Sequence, residues 1–197
     1  MKRMTILIIG LLFGSLALAY EPQAGDIVFH TSLSKQSIAV QAATNSPYSH
    51  MGIVLFKDGK PYVFEAVQPV KYTPLETWLD RGKGKHYVVK RPKSPLSAEA
   101  ISQLQKDAEL YVGKPYDLTF EWSDSRIYCS ELVWKLYKSA ANIELSPLAK
   151  LGSFNLSNPS VKAKLKERYG NNVPLNEPVI APVAIFESPL LVTAAQR

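Results

Sequence analysis

Two apolar runs, Tyr48–Phe56 and Pro61–Val67, flank the stretch Lys57-Asp58-Gly59-Lys60, and no other part of the chain restricts the fold as much. Asp-Gly between apolar runs is a strong hairpin signal, because both residues tolerate positive φ. With Asp58 and Gly59 as the loop, Lys57 pairs with Lys60, Gly52 faces Glu65 and His50 faces Val67. His50 and Glu65 then become diagonal neighbours on one face, and Gly52 leaves room beside them. A four-residue loop closed by the same pair keeps this arrangement, whereas a slip of one residue puts the two side chains on opposite faces. Pro61 cannot donate to the ladder and allows a small irregularity here.

The other elements follow from local signals. Asp26–His30 and His86–Arg91 have strand character, and Ser34–Ala43 has the pattern of a helix. Thr73-Pro74-Leu75-Glu76 predicts a capped short helix to about Leu79. Ser97 caps a longer predicted helix to Val112, with Leu96 and Ile101 as a staple and Gly113 as the stop. A further helix opens at Asn158-Pro159 and ends at Gly170. The tail from Val173 carries four prolines and is expected to be mostly extended, wrapping the domain. Repeats, low-complexity segments and linkers are lacking. The expectation is one α+β domain over residues 20–197, with helices around a small, mainly antiparallel sheet.

Residues 1–19 differ from the rest. Lys2 and Arg3 precede the apolar run Met4–Phe13, and Ala17-Leu18-Ala19 supplies a small-residue cleavage site. This is the pattern of a cleaved export signal, and the run is short of the ~20 residues a spanning helix needs. A periplasmic location and no stable membrane span are expected. Cleavage removes two basic residues and no acidic one, taking the formal charge from +6 to +4. The densest basic cluster (Lys162, Lys164, Lys166, Arg168) fits a solvated helix face, and no nucleic-acid signature accompanies it.

Cys129 is the only cysteine of the 197 residues. An exported chain with one cysteine forms no internal disulfide, so the thiol is either buried and inert or kept for reactivity. Leu132, Val133, Leu136 and Ala140 recur at helical spacing after the irregular segment Glu121–Ile127, which places Cys129 in the first turn of a helix. Unpaired N–H groups and the helix dipole favour a thiolate there. Of the three histidines, only His50 gains a carboxylate neighbour, Glu65, from the hairpin register. A nucleophilic cysteine with a base and an orienting carboxylate is therefore favoured. One cysteine and three scattered histidines lack zinc-ligand spacing, and no Gly-x-Ser-x-Gly elbow is present.

With these motifs the chain resembles the permuted papain-like hydrolases of the NlpC-type superfamily, in particular the YiiX-like exported group. The resemblance runs through Gly25–Phe29, Tyr48–Gly52, Tyr62–Val67, Gly113–Asp117, Tyr128–Trp134 and Leu156–Pro159. The order His50, Glu65, Cys129 is that of the circularly permuted branch. The resemblance implies a permuted papain-like fold, Cys129 as nucleophile, His50 as base and Glu65 as orienting residue, with Tyr116 in the substrate pocket. No cofactor or metal is implied.

The expected activity is hydrolysis of an amide, or an ester, in a cell-envelope substrate such as a peptidoglycan peptide or lipid-linked amide. Tyr48, Tyr116 and Tyr128, with Phe120 and Trp122, flank the motifs and either line an apolar substrate pocket or pack the core. An acyltransferase or thioesterase using the same Cys-His pair is the nearest alternative. A non-catalytic envelope-binding module is the rival from another class.

Overall fold

In a computed structural model that describes residues 20–197, Asp58 and Gly59 both take positive φ, and Lys57 pairs with Lys60. The expected leader, residues 1–19, lies outside the described residues. The chain runs β1 (Ile27–His30), α1 (Lys35–Thr44), β2 (His50–Lys57), β3 (Lys60–Glu65), β4 (Lys71–Pro74), α2 (Leu75–Leu79) and β5 (Val88–Pro92). It continues through α3 (Ala98–Glu109), α4 (Cys129–Ala141), β6 (Ala149–Lys150), α5 (Pro159–Tyr169), β7 (Pro178–Val179), α6 (Pro182–Phe186) and β8 (Leu191–Gln196). One six-stranded sheet has the order β4-β3-β2-β1-β5-β8 with every neighbouring pair antiparallel, and β6 and β7 form a separate small ladder.

Period-two alternation sorts the strand side chains onto two cores. Ile27, Phe29, Met51, Ile53, Leu55 and Phe64 pack with α4 through Leu132, Val133 and Leu136. Val28, Val54, Val63 and Val89 pack on the other face against Leu75 and Trp78 of α2. Full burial of each such aliphatic or aromatic side chain stabilises by roughly 1.5–3 kcal/mol. The sheet is thus covered on both faces, and α4 is held by the broader of the two cores.

Three expectations change. Thr73 does not cap α2: it lies in β4, a strand without a clear sequence signal, and its hydroxyl donates to Glu65 instead. The helix starts at Leu75, one residue later than a Thr73 cap would set it, and Pro74 occupies the cap position. The helix expected to reach Val112 ends at Glu109, because the N–H groups of Leu110 and Tyr111 tighten onto the carbonyls of Asp107 and Ala108. Gly113, at φ 80°, then turns the chain and donates its N–H to Val70. The tail is more than a wrapper. It contains α6 and supplies the edge strand β8, and Ile180, Ile185 and Leu191 enter the main core.

The ladder pairs Ile53 with Phe64, so Gly52 sits opposite Glu65. A Cβ on Gly52 would lie 2.4 Å from Val63 Cγ1, 2.8 Å from the Phe64 carbonyl oxygen and 3.2 Å from Glu65 Cβ. Gly52→Ala is therefore expected to cost about 1–3 kcal/mol by overpacking, measured by urea unfolding; unchanged stability would contradict the tight packing at this position.

Candidate active site

The approach to α4 is pinned before the helix begins. Asp117 N–H donates to the Ile127 carbonyl at 3.1 Å, and Ile127 N–H donates to that of Pro115 at 3.2 Å. The buried Asp117 carboxylate accepts from Thr119 N–H, the Thr119 hydroxyl and Glu121 N–H, which gives the irregular segment a fixed path. Tyr128 keeps an extended backbone, and α4 starts at Cys129. Cys129 is buried, and its position in the first turn leaves its own N–H outside the helical ladder. Glu131 reaches back toward the Tyr128 N–H at 3.4 Å and pairs with Lys135 at 2.8 Å. Burial raises the Glu131 carboxyl to about 7, against the opposing pull of Lys135.

His50 is the first residue of β2, and its Nε2 lies 2.6 Å from Glu65 Oε2. The hairpin register brings them together, as the diagonal geometry requires. Glu65 is fully buried and accepts four further contacts. Thr73 donates its hydroxyl at 2.6 Å and Trp78 its indole N–H at 2.8 Å; Arg81 donates through Nη1 at 3.0 Å and through Nη2 to the second oxygen. Burial by itself would raise the carboxyl pKa. The hydrogen bond and charge of His50, and then those of Arg81, outweigh burial and hold it well below the usual carboxylate range.

Cys129 lies close enough to the His50 ring to raise its proton affinity. Burial pulls the imidazole pKa down, but hydrogen bonding and charge from Cys129 and Glu65 outweigh burial and push it up to about 9. His50 and Glu65 share the sheet face that carries Val54, Val63 and Trp78, whereas Cys129 belongs to the core on the α4 face. Cys129 borders a cavity that also reaches Ser49, the residue before His50 at the start of β2.

The remaining histidines are elsewhere engaged. His30 stacks on Trp78 with ring centroids 4.1 Å apart and lies 5.3 Å from the His50 ring. Burial, followed by the charges of His50 and Arg81, lowers it to about 3, so it stays neutral beside the charged pair. His86 is exposed, with Nδ1 3.1 Å from the Arg197 carbonyl.

Two depressions meet at this site. An apolar cavity of about 770 Å³, its open mouth included, has Cys129 in its wall with Tyr128, Phe120, Ala39, Leu165 and Ile180. A polar cleft of about 980 Å³, open solvent at its mouth included, is lined by His50, His30, Arg81 and Ser37. Gln36, Ser49 and Tyr116 border both. Tyr116 and Tyr128 are thus beside Cys129. Tyr48 is apart: its ring stacks on Phe186 at 4.1 Å and borders a different recess. Trp122 packs edge-on against Trp134. The tail closes one wall of the apolar cavity, tied to α4 by Ser130 Oγ donating to the Ile180 carbonyl and Ile180 N–H donating to Tyr128.

Residues 21–193 match the family described as permuted papain-like amidase enzyme, YaeF/YiiX, C92 family. The chain belongs to this permuted papain-like amidase family. It is 51% identical over 192 residues to the uncharacterized protein YiiX of Escherichia coli strain K12, covering 98% of this chain and 95% of that protein. The crystal structure of metalloprotein yiiX from Escherichia coli O157:H7 is 52% identical, with a TM-score of 0.87 over 90% of this chain and 99% of that one. Among the described residues no group of three or more His, Cys, Asp or Glu side chains is placed to hold a metal ion. The Glu65 oxygens are already occupied by His50, Thr73, Trp78 and Arg81, so these residues do not fit a metal-ligand set. No described helix is long and apolar enough to cross a membrane.

Thr73, Trp78 and Arg81 are the part of this candidate site that sequence reasoning missed. Their shared target lies 8, 13 and 16 residues away, across β4 and α2, and no local pattern marks such a convergence. His50 holds its proton more tightly in the folded chain than in the unfolded one, where its pKa is about 6.5. Its contribution to stability is fully present below pH 6.5 and is lost as pH rises through about 9. Melting temperatures taken between pH 7 and 10 are expected to fall along this limb, and Glu65→Gln is expected to flatten it. An identical slope in both proteins would contradict the coupling.

Proposed function

We propose that this chain is an exported thiol hydrolase that cleaves an amide bond in a lipid-linked substrate of the cell envelope. The single observation supporting the chemistry is the His50 imidazole hydrogen-bonded to the buried, ionised Glu65, with Cys129 near enough to raise the imidazole's proton affinity further. Cys129 attacks the carbonyl carbon as the thiolate of an ion pair with His50. Charge moves from sulfur onto the carbonyl oxygen, where the Cys129 N–H and the Tyr116 hydroxyl act as donors. His50 gives its proton to the departing amine, and the acyl group remains as a thioester on Cys129. Water, deprotonated by His50, then attacks the thioester and releases the acid and the free thiol. Glu65 holds the ring orientation and favours the imidazolium, while Thr73, Trp78 and Arg81 keep Glu65 ionised.

The apolar cavity beside Cys129 favours an acyl chain over a peptidoglycan peptide as the group on the carbonyl side. Its walls are mainly Ala39, Val40, Ala43, Leu165 and Val179, which suit methylene packing. The polar cleft bordered by His50 and Arg81 suits the leaving group. The leader at residues 1–19 is assigned to export into the periplasm, where such lipids occur. An ester or thioester would use the same groups, and transfer to an amine would replace the water step.

Hydrolysis of p-nitrophenyl octanoate is expected to exceed that of p-nitrophenyl acetate and to vanish in Cys129→Ala. Ala43→Trp, which fills the cavity, is expected to abolish the chain-length preference while acetate turnover persists. Equal turnover of both esters by the wild-type protein would exclude the lipid assignment, and full activity in Cys129→Ala would exclude the nucleophile. Added amine acceptors, followed by mass spectrometry of the products, separate hydrolysis from acyl transfer.

A further inference from the structure

Gln36, Tyr116 and Arg168 come from α1, the α3–α4 connection and α5, and they meet where the apolar cavity adjoins the polar cleft. Arg168 Nη2 donates to Gln36 Oε1 at 2.9 Å, and Gln36 Nε2 donates to the Tyr116 hydroxyl oxygen at 3.1 Å. Chemistry alone sets the direction of this relay. A guanidinium has only donors, so the Gln36 atom facing Arg168 must be the carbonyl oxygen. The amide NH2 must then face Tyr116, and the phenol oxygen must accept. A phenol that accepts here keeps its own proton for a different acceptor. Arg168 is held by a second contact, its guanidinium 5.0 Å from the Phe120 ring centre. The relay therefore has a fixed outer end.

We propose that Gln36 and Arg168 are positioning residues that commit the Tyr116 proton to the oxygen of the carbonyl bound at Cys129. This rests on the reading of Cys129 as the nucleophile. Tyr116 and Cys129 border the same cavity, so the free side of the hydroxyl faces the place where the reacting carbonyl must sit. Burial, and then the charge on Cys129, raise the phenol pKa, which keeps the proton on Tyr116 during the reaction. As the tetrahedral intermediate forms, negative charge passes from sulfur to oxygen, and a donor aimed beforehand needs no reorganisation to follow it.

The decisive variant is Gln36→Glu. It keeps the size of the side chain and its pairing with Arg168, but it offers Tyr116 an acceptor instead of a donor and draws the phenol proton away from the substrate. With p-nitrophenyl octanoate, Gln36→Glu is expected to lower kcat on the order of 100-fold, the scale of one lost oxyanion donor. KM should change little. Tyr116→Phe should show the same loss, and the double variant should lose no more than Tyr116→Phe alone. Gln36→Leu, which leaves the hydroxyl free to rotate, should lose less than Gln36→Glu; it also keeps the test available if one variant folds poorly. Unchanged kcat in Gln36→Glu, an additional loss in the Tyr116→Phe background, or equal losses in the Glu and Leu variants would each overturn the relay while the Cys129 reading stands. Wild-type turnover that survives Cys129→Ala would overturn both.

Discussion

The buried carboxylate of Glu65 is the interaction on which the rest of the site depends. An isolated ionised carboxylate in a protein interior costs several kcal/mol of desolvation. Here five contacts from His50, Thr73, Trp78 and Arg81 offset that cost. Each donor comes from a different element or loop, so ionised Glu65 ties β2, β4, α2 and the turn after α2 together. The same charge lifts the proton affinity of His50, and the charged His50 in turn holds Glu65 ionised. Structural and chemical roles of the carboxylate cannot be separated, because one set of hydrogen bonds serves both.

That constraint also explains the division of labour between the sheet faces. The acid–base pair belongs to the face closed by α2 and Trp78, and the thiol belongs to the face closed by α4. The covering of both faces keeps the pair out of bulk water except at the end of the sheet. There a neutral His30 stacks on Trp78 and borders the cleft without adding a competing charge. The path into α4, and so the position of the thiol, is locked by Asp117 and by the short bridge between Tyr116 and Ile127. The bridge that places the thiol also places Tyr116, which makes the Cys129 thiol and the nearby hydroxyl parts of one unit.

The tail and the two helices α1 and α5 add the walls of the apolar cavity. Small residues on α1 leave the cavity open, and the tail segment around Ile180, hydrogen-bonded to Tyr128 and Ser130, closes it. Cys129 therefore stands at the boundary between an apolar cavity and a polar cleft.

Much of this was legible in sequence where the information is local. Asp58-Gly59 determined the register, and the register determined that His50 and Glu65 share a face, since side-chain direction alternates with every residue. The spacing of Leu132, Val133 and Leu136 determined α4 and put Cys129 at its start. Other features depended on which donors and side chains converge in space. Thr73 had the signature of a helix cap and was taken by Glu65. Arg81 and Trp78 carried no signal at all, and Tyr48 went to Phe186 rather than to the cavity. The meeting of Cys129 with His50, the closure of the cavity by the tail and the alignment of Arg168, Gln36 and Tyr116 were decided only by the tertiary structure. Local propensity and periodicity specify elements and faces, whereas a buried charge draws its partners from wherever the packed chain brings a donor within reach.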